Sequence, residues 1–68
     1  MRQGEWAIVR KVNESDPTSL YEFWSLDHTG STKWLLNYIE AIHFSNESDA
    51  DKVITALQLQ AIPMYDNG

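Results

Sequence analysis

The chain contains no cysteine, only two histidines and only five lysine or arginine residues among its 68 residues. The absence of cysteine excludes disulfides and thiolate metal sites, and two histidines alone are too few for a structural zinc site. A chain without disulfides fits a reducing compartment, so we expect a cytoplasmic protein. No apolar run approaches the roughly 18 to 20 residues of a membrane span, and the polar first residues differ from a signal peptide. We therefore expect neither membrane insertion nor secretion.

Positive charges are scarce and unevenly placed along the chain. Residues 1–12 contain three basic residues and one acidic residue, for a net charge of +2, whereas residues 13–68 contain two basic and nine acidic residues, for −7. The two parts give the net charge of −5. Because an acidic body repels phosphate backbones, we expect no direct binding to nucleic acids. Stacking of bases on exposed aromatic side chains would also need a basic groove, which this sequence does not supply.

The sequence has no catalytic or metal-binding constellation. None of its six serines lies in a Gly-x-Ser-x-Gly elbow and its three glycines are scattered, so neither acyl transfer nor a phosphate-binding loop is indicated. His43 alternates away from Ile42 and Phe44 and is expected to face solvent, and His28 lies in a polar turn. We therefore expect no enzyme activity, no cofactor and no bound metal.

The apolar content is that of a folded domain. Hydrophobic residues make up 43% of the chain and aromatic residues 12%, against 22% charged residues. A chain of this length forms one domain over residues 1–68, and it buries only about 60% of the surface that it exposes when unfolded. Its core is therefore small, and burial against a partner would add stability.

Two alternating hydrophobic patterns predict the first two strands. The faces of residues 6–12 are Trp6, Ile8 and Val12 on one side and Ala7, Val9 and Lys11 on the other. The faces of residues 20–26 are Leu20, Glu22, Trp24 and Leu26 on one side and Tyr21, Phe23 and Ser25 on the other. The polar residues 13–19 predict a hairpin loop between these strands, and Gly30 suits a turn over residues 27–31.

The segment over residues 32–44 fits neither a helical nor a strand period cleanly. One long helix and a strand broken by a turn both remain open. We favour a short strand over residues 33–36, a bent or one-turn helical link over residues 37–41 and a second short strand over residues 42–44.

A capped amphipathic helix is predicted over residues 47–58. Asn46 can accept hydrogen bonds from the first amides of the helix, and Asp49 stands three residues further on. Apolar residues follow at helical spacing, namely Ala50, Val53, Ile54 and Leu57. A proline is tolerated at the edge of a sheet, so residues 61–65 predict a last edge strand. The expected fold is α+β, with a small antiparallel sheet of three or four strands packed against one main helix.

The chain contains, in order, a Trp, a Glu-Ala pair, a Phe, a helix cap, an acidic residue followed by Ala, an aliphatic pair and a Leu. The residues concerned are Trp34, Glu40-Ala41, Phe44, Asn46, Asp49-Ala50, Val53-Ile54 and Leu57. This pattern resembles small phage and prophage proteins of unknown function. The resemblance covers about a third of the chain and describes a strand that leads into a helix. It implies an origin, with a bacterial host, more than an activity.

The aromatic residues indicate a protein partner. One helix can cover only one face of a small sheet, yet the second strand carries bulky residues on both of its faces. The candidate interface residues are Tyr21, Phe23 and Trp24. We expect self-association as a homodimer or docking on a larger protein partner. The alternative is that residues 13–19 and 61–65 fold over the second face.

The leading expectation for function is a non-enzymatic phage-type or prophage-type accessory protein that acts through protein-protein interaction. The alternative is an acidic inhibitor that mimics nucleic acid on a host protein. Its candidate acidic contact face consists of Glu47, Asp49 and Asp51. The same residues suit an ordinary helix start, where the helix dipole favours negative charge. The sequence leaves both functions open.

Overall fold

Four antiparallel strands and one α-helix form the described part of the chain, residues 5–66 of a computed structural model. The strands are β1 (Glu5–Lys11), β2 (Tyr21–Leu26), β3 (Thr32–Leu35) and β4 (Ile62–Asp66), and the helix is α1 (Glu47–Leu57). The strand order in the sheet is β3-β2-β1-β4. The predicted α+β fold is therefore confirmed. No helix within residues 5–66 is long and apolar enough to cross a membrane.

Strand β1 lies at the centre of the sheet and β4 lies at one edge. The backbone N–H and C=O groups of Trp6 point away from β4, because both bond to Phe44, at 2.8 and 2.7 Å. Backbone N–H and C=O groups alternate in direction along a strand, so those of Ile8 also point away from β4. Ile8 and its partner Pro63 are therefore a pair without hydrogen bonds between them, and the missing N–H of the proline costs no bond in the sheet. The ring nitrogen of Pro63 therefore faces outwards at the edge, as predicted for this position.

Helix α1 begins and ends with local hydrogen bonds. The Asn46 side chain accepts from the Asp49 amide at 2.8 Å and donates to the Asp49 carboxylate at 3.3 Å, so the predicted cap is confirmed. The helix ends where Gln58 adopts a left-handed conformation, with φ of 53°. The Leu59 amide then donates to the Ile54 carbonyl at 2.9 Å, which satisfies one of the last carbonyls of the helix.

The core lies between α1 and one face of the sheet, which we call the helix face. Its buried residues are Ile8 from β1, Trp24 from β2 and Ala50 from α1. Partly buried apolar residues surround them, namely Trp6, Trp34, Ile42, Phe44, Val53, Ile54, Leu59 and Ala61. Ala50 brings the helix backbone close to the sheet because its side chain is small. Ala7 and Val9, which alternate with Ile8 along β1, are fully buried as well, so the sheet is also covered on its opposite face.

The ambiguous segment over residues 32–44 contains a strand followed by a single helical turn. Strand β3 is followed by a 3₁₀ turn over Tyr38–Glu40, which confirms the predicted helical link. The Asn37 side chain caps this turn by accepting from the Ile39 amide at 3.0 Å. The capping bond satisfies an amide that the short turn itself leaves unpaired.

The predicted strand over residues 42–44 is reduced to one isolated bridge between Phe44 and Trp6. Two further contacts explain its position, because the Ile42 amide donates to the Trp24 carbonyl at 3.2 Å while Phe44 bonds to Trp6. Residues 42–44 thus lie between β1 and β2 where these strands separate. The segment is too short to pair regularly with either strand.

Candidate functional site

The face of the sheet that α1 does not cover, which we call the second face, carries an apolar row across all four strands. Cross-strand partners lie on the same face of a sheet, so the pairings define the row. It consists of Leu35, Phe23, Val9 and Ile62. Tyr21 pairs with Lys11 on the same face, two residues along the strands from the pair of Phe23 and Val9.

The three candidate interface residues divide between the two faces of the sheet. Tyr21 and Phe23 lie on the second face, where Tyr21 is exposed and Phe23 is half-buried. Trp24 lies on the helix face and is only 4% exposed, with its ring nitrogen 3.3 Å from the Thr32 hydroxyl. The surface available for a partner at this strand therefore belongs to Tyr21 and Phe23, whereas Trp24 belongs to the core.

Part of the second face is covered by residues 37–43, which we call the covering segment. The ring of Tyr38 packs edge-on against Phe23, with centroids 5.5 Å apart and an interplanar angle of 78°. The Ser25 hydroxyl donates to the Glu40 carbonyl at 3.5 Å. These contacts place the 3₁₀ turn over β2, so the Phe23 side chain is partly buried within the chain.

Of the two segments of the alternative cover, residues 61–65 fall within the sheet from Ile62 onward and residues 13–19 form a turn, from which Glu14 lines a groove beside Tyr21. Residues 62–66 form β4 within the sheet itself. Residues 13–19 form the turn between β1 and β2, in which the Asn13 amide donates to the Ser19 hydroxyl at 2.8 Å. Each of these segments is held in its own position by hydrogen bonds to neighbouring backbone.

His43 anchors the covering segment. Its Nδ1 atom lies 2.9 Å from a carboxylate oxygen of Glu5, and its Nε2 atom lies 2.9 Å from the Tyr38 carbonyl oxygen. Its ring also stacks on the Tyr38 ring at 4.4 Å. The expectation that His43 faces solvent is wrong, because the bend at residues 38–43 turns the ring onto β1. Since both partners are hydrogen-bond acceptors, only a ring protonated on both nitrogens donates to both.

The two histidines have different surroundings. Both ring nitrogens of His43 contact oxygen atoms of the chain. His28 is exposed in the turn after β2. Within residues 5–66, no group of three or more His, Asp and Glu side chains is arranged to hold a metal ion.

A shallow groove of about 500 Å³ lies where β1 leads into the turn of residues 13–19 and β4 begins. Its apolar walls are Tyr21, which is 39% exposed, and Ile62, which is 57% exposed, whereas Val9 between them is fully buried. Its charged residues are Arg10, Lys11 and Glu14. Gln60 and Ala61 complete the lining.

Exposed apolar residues also lie in the covering segment and just before it. Ile39, in the 3₁₀ turn, is 81% exposed, and Leu36, just before the segment, is 66% exposed. Glu40 is exposed next to Ile39. Large apolar side chains are exposed elsewhere too, among them Leu20, Leu26 and Leu57, so this exposure is not confined to one part of the chain.

The candidate acidic residues lie on different sides of α1. Glu47 and Asp51 are four residues apart and share one side of the helix, whereas Asp49 is two residues from each and points elsewhere. The carboxylate of Asp49 also accepts from Asn46, as part of the helix cap. All three residues are exposed, but they do not form one continuous strip of charge.

Two aspartates outside this face have a lowered pKa, and both organise turns. The Thr29 hydroxyl and the amides of Ser31 and Thr29 donate to Asp27, which lowers the pKa of that carboxyl below its ordinary value of 3.8. The amide and hydroxyl of Thr18 lower the pKa of Asp16 in the same way. These carboxylates stabilise the connections between strands.

No protein-family model, curated protein or solved structure matches this chain. The function must therefore be argued from the geometry of the chain itself. The described residues offer a groove, an exposed turn and a small apolar face, which are features of a binding surface.

Proposed function

We propose that this chain is a non-enzymatic accessory protein of phage or prophage type that acts through protein-protein interaction in the cytoplasm of a bacterial host. The second face is the surface that makes the contact. The observation that carries this proposal is the groove between the exposed apolar side chains of Tyr21 and Ile62. Burial of this surface against a partner supplies the stabilisation that a small core lacks.

The composition of the second face supports a protein partner rather than a charged polymer. Apolar and aromatic residues occupy its centre, and the charged residues Lys11, Glu14 and Lys33 lie around them with both signs represented. Protein interfaces commonly have an apolar centre with a polar rim. Phosphate backbones are bound instead by continuous positive charge.

The acidic-inhibitor alternative has weaker support. A mimic of nucleic acid needs a ribbon of negative charge at phosphate spacing, since a duplex carries one charge per about 1.7 Å. Glu47 and Asp51 lie apart from Asp49 around the helix, and Asp49 is engaged in the cap. Binding through this face would weaken steeply with salt, whereas binding through an apolar face would not.

The test is binding by the intact chain with one side of the groove made polar at a time. Tyr21→Ser and Ile62→Ser should each abolish self-association in light scattering or the capture of a partner from a bacterial lysate. Leu57→Ser is the matched control, because Leu57 is 50% exposed but lies on α1, away from the second face. Equal binding by all three folded variants would contradict the proposal.

A further inference from the structure

The covering segment has fixed ends, and between them a turn that side chains tie to the sheet. Its last residues are fixed by backbone pairing, because the Ile42 amide donates to the Trp24 carbonyl at 3.2 Å. Its first residue, Asn37, follows closely on β3. Ile39 in the middle of the 3₁₀ turn is 81% exposed, so the turn is not embedded in a core. A turn of this kind lifts without disturbing the sheet when its side-chain ties are lost.

His43 meets a hydrogen-bond acceptor at each of its two ring nitrogens. Nδ1 lies 2.9 Å from Oε2 of Glu5, an oxygen that is enclosed by the protein, and Nε2 lies 2.9 Å from the Tyr38 carbonyl oxygen. A neutral imidazole carries only one N–H, so in either tautomer one nitrogen lone pair faces an oxygen lone pair. Only the doubly protonated ring donates to both oxygens. The closed position of the turn therefore favours a charged His43.

The other charged and titratable groups on the second face are compatible with a positive ring at this position. Asp66 of β4 is the cross-strand partner of Glu5 and adds negative charge at the same end of the face. The Tyr38 ring stacks on His43 at 4.4 Å, and its phenol is neutral near pH 7. The groups further away on this face of residues 5–66 are Glu40 in the turn, Lys33 opposite Ser25 on β3, and Lys11 with its partner Tyr21 at the far end of β1 and β2.

We infer that the covering segment is a strap that one proton on His43 closes over the second face. With both nitrogens protonated, the ring joins Glu5 to the Tyr38 carbonyl, and the 3₁₀ turn lies on Phe23. When the ring gives up a proton to solvent, one of these contacts becomes a repulsion between lone pairs and the turn lifts. The closed form thus binds more protons than the open form, so its population falls as the pH rises through the range in which imidazole titrates.

The strap works within one chain and needs no partner. Its opening uncovers Phe23, so the proton on His43 decides how much apolar surface the second face presents. Protonation of a histidine changes protein surfaces in this way wherever it biases an element with two positions.

The experiment is NMR spectroscopy of the intact, isotope-labelled chain between pH 6 and pH 8.5. The two signals are the ring protons of His43, which report its protonation, and the nuclear Overhauser effect between the Tyr38 and Phe23 rings, which reports closure. We expect this effect to fall by roughly half over the pH range, with the same midpoint as the His43 ring protons. His28, exposed in its turn, serves as the internal reference.

Glu5→Gln is the decisive variant. Its amide donates to an unprotonated Nδ1 while the Nε2 proton goes to the Tyr38 carbonyl, so a neutral ring satisfies both contacts. The ring-to-ring effect should then stay constant over the whole pH range. Glu40→Gln is the matched control, because it removes an acidic charge from the covering segment but leaves both contacts of His43 in place, and it should respond to pH like the parent chain. Circular dichroism confirms that each variant is folded.

Three results would overturn the strap. They are a constant ring-to-ring effect in the parent chain, a decrease that follows His28 instead of His43, and a decrease in Glu5→Gln as large as that of the parent. If Glu5→Gln does not fold, His43→Phe replaces it. That variant keeps an aromatic ring against Tyr38 but cannot titrate, so a pH response that persists in it would also overturn the strap.

Discussion

Single residues connect parts of this chain that are distant in sequence. His43 joins the start of β1 to the 3₁₀ turn, and through Tyr38 it supports the position of Phe23. Arg10 plays a similar part on the helix face, where its guanidinium lies 4.1 Å above the Trp34 ring and bonds to Glu22 at 3.0 Å.

Replacing His43 by Ala should lower the free energy of unfolding by about 1 to 2 kcal/mol, because it removes the hydrogen bond with the Tyr38 carbonyl, the close contact with the Glu5 carboxylate and the stacking on the Tyr38 ring. The measurement is urea unfolding followed by circular dichroism. His28→Ala is the control, since His28 is exposed in a turn and its loss should change stability by less than about 0.5 kcal/mol. Equal effects of the two substitutions would show that His43 does not anchor the covering segment.

The turn aspartates predict a loss of stability in acid. The folded-state pKa of Asp27 is lowered, so its contribution is present above the ordinary value of 3.8 and is lost as the pH falls through the lower folded value. Asp27→Asn keeps a side-chain oxygen that can accept from the turn amides but does not titrate. Between pH 5 and pH 2, the urea midpoint of the Asn variant should therefore fall less than that of the parent chain. Parallel curves would argue against the lowered pKa.

At the scale of elements, the ends of α1 are specified by local contacts, but one of them carries strain. The Asn46 cap follows the sequence pattern closely. At the other end, Gln58 occupies a left-handed conformation that normally favours glycine, because a Cβ atom crowds the backbone there. The chain tolerates this cost because the Leu59 amide bonds to Ile54 and Leu59 packs against the core.

Gln58→Gly should raise the free energy of unfolding by up to about 1 kcal/mol, since it relieves the left-handed strain. For a domain of this size, that change corresponds to an increase of roughly 4 to 8 °C in the thermal midpoint. Differential scanning calorimetry is the measurement. Gln58→Ala retains the Cβ atom and should bring no such gain, so an equal gain in both variants would contradict the explanation.

At the scale of the whole molecule, the stability depends on a few residues packed between α1 and the sheet. Ile8 is fully buried at the centre of that packing, on the central strand. A chain of 68 residues has a total stability of about 3 to 10 kcal/mol. A single cavity at this position can therefore remove a large part of it.

Ile8→Ala should cost about 2 to 5 kcal/mol and leave a substantial fraction of the chain unfolded in water. Tryptophan fluorescence reports this change, because Trp24 is 4% exposed in the folded state and becomes solvated on unfolding. Val12→Ala serves as the control, since Val12 is 55% exposed and its truncation should cost less than about 0.5 kcal/mol. A fully folded Ile8→Ala variant would mean that the core lies elsewhere.

The sequence by itself determined the features that depend on neighbouring residues. The alternation in β2, the Asn46 cap, the single turn after β3 and the edge position of Pro63 all follow from periods or from hydrogen bonds within a few residues. These features are readable because local geometry alone decides them. They are sufficient for the α+β class.

Only the tertiary structure decided how those elements meet. The partners of His43, the insertion of residues 42–44 between β1 and β2, the burial of Trp24 and the groove between Tyr21 and Ile62 each depend on strands brought together from distant parts of the chain. The hydrophobic period of the sequence does not encode these contacts, because a strand shows the same alternation of side chains whichever strands lie beside it. The candidate binding surface is a product of these long-range contacts, which is why its shape could not be predicted from the residues alone.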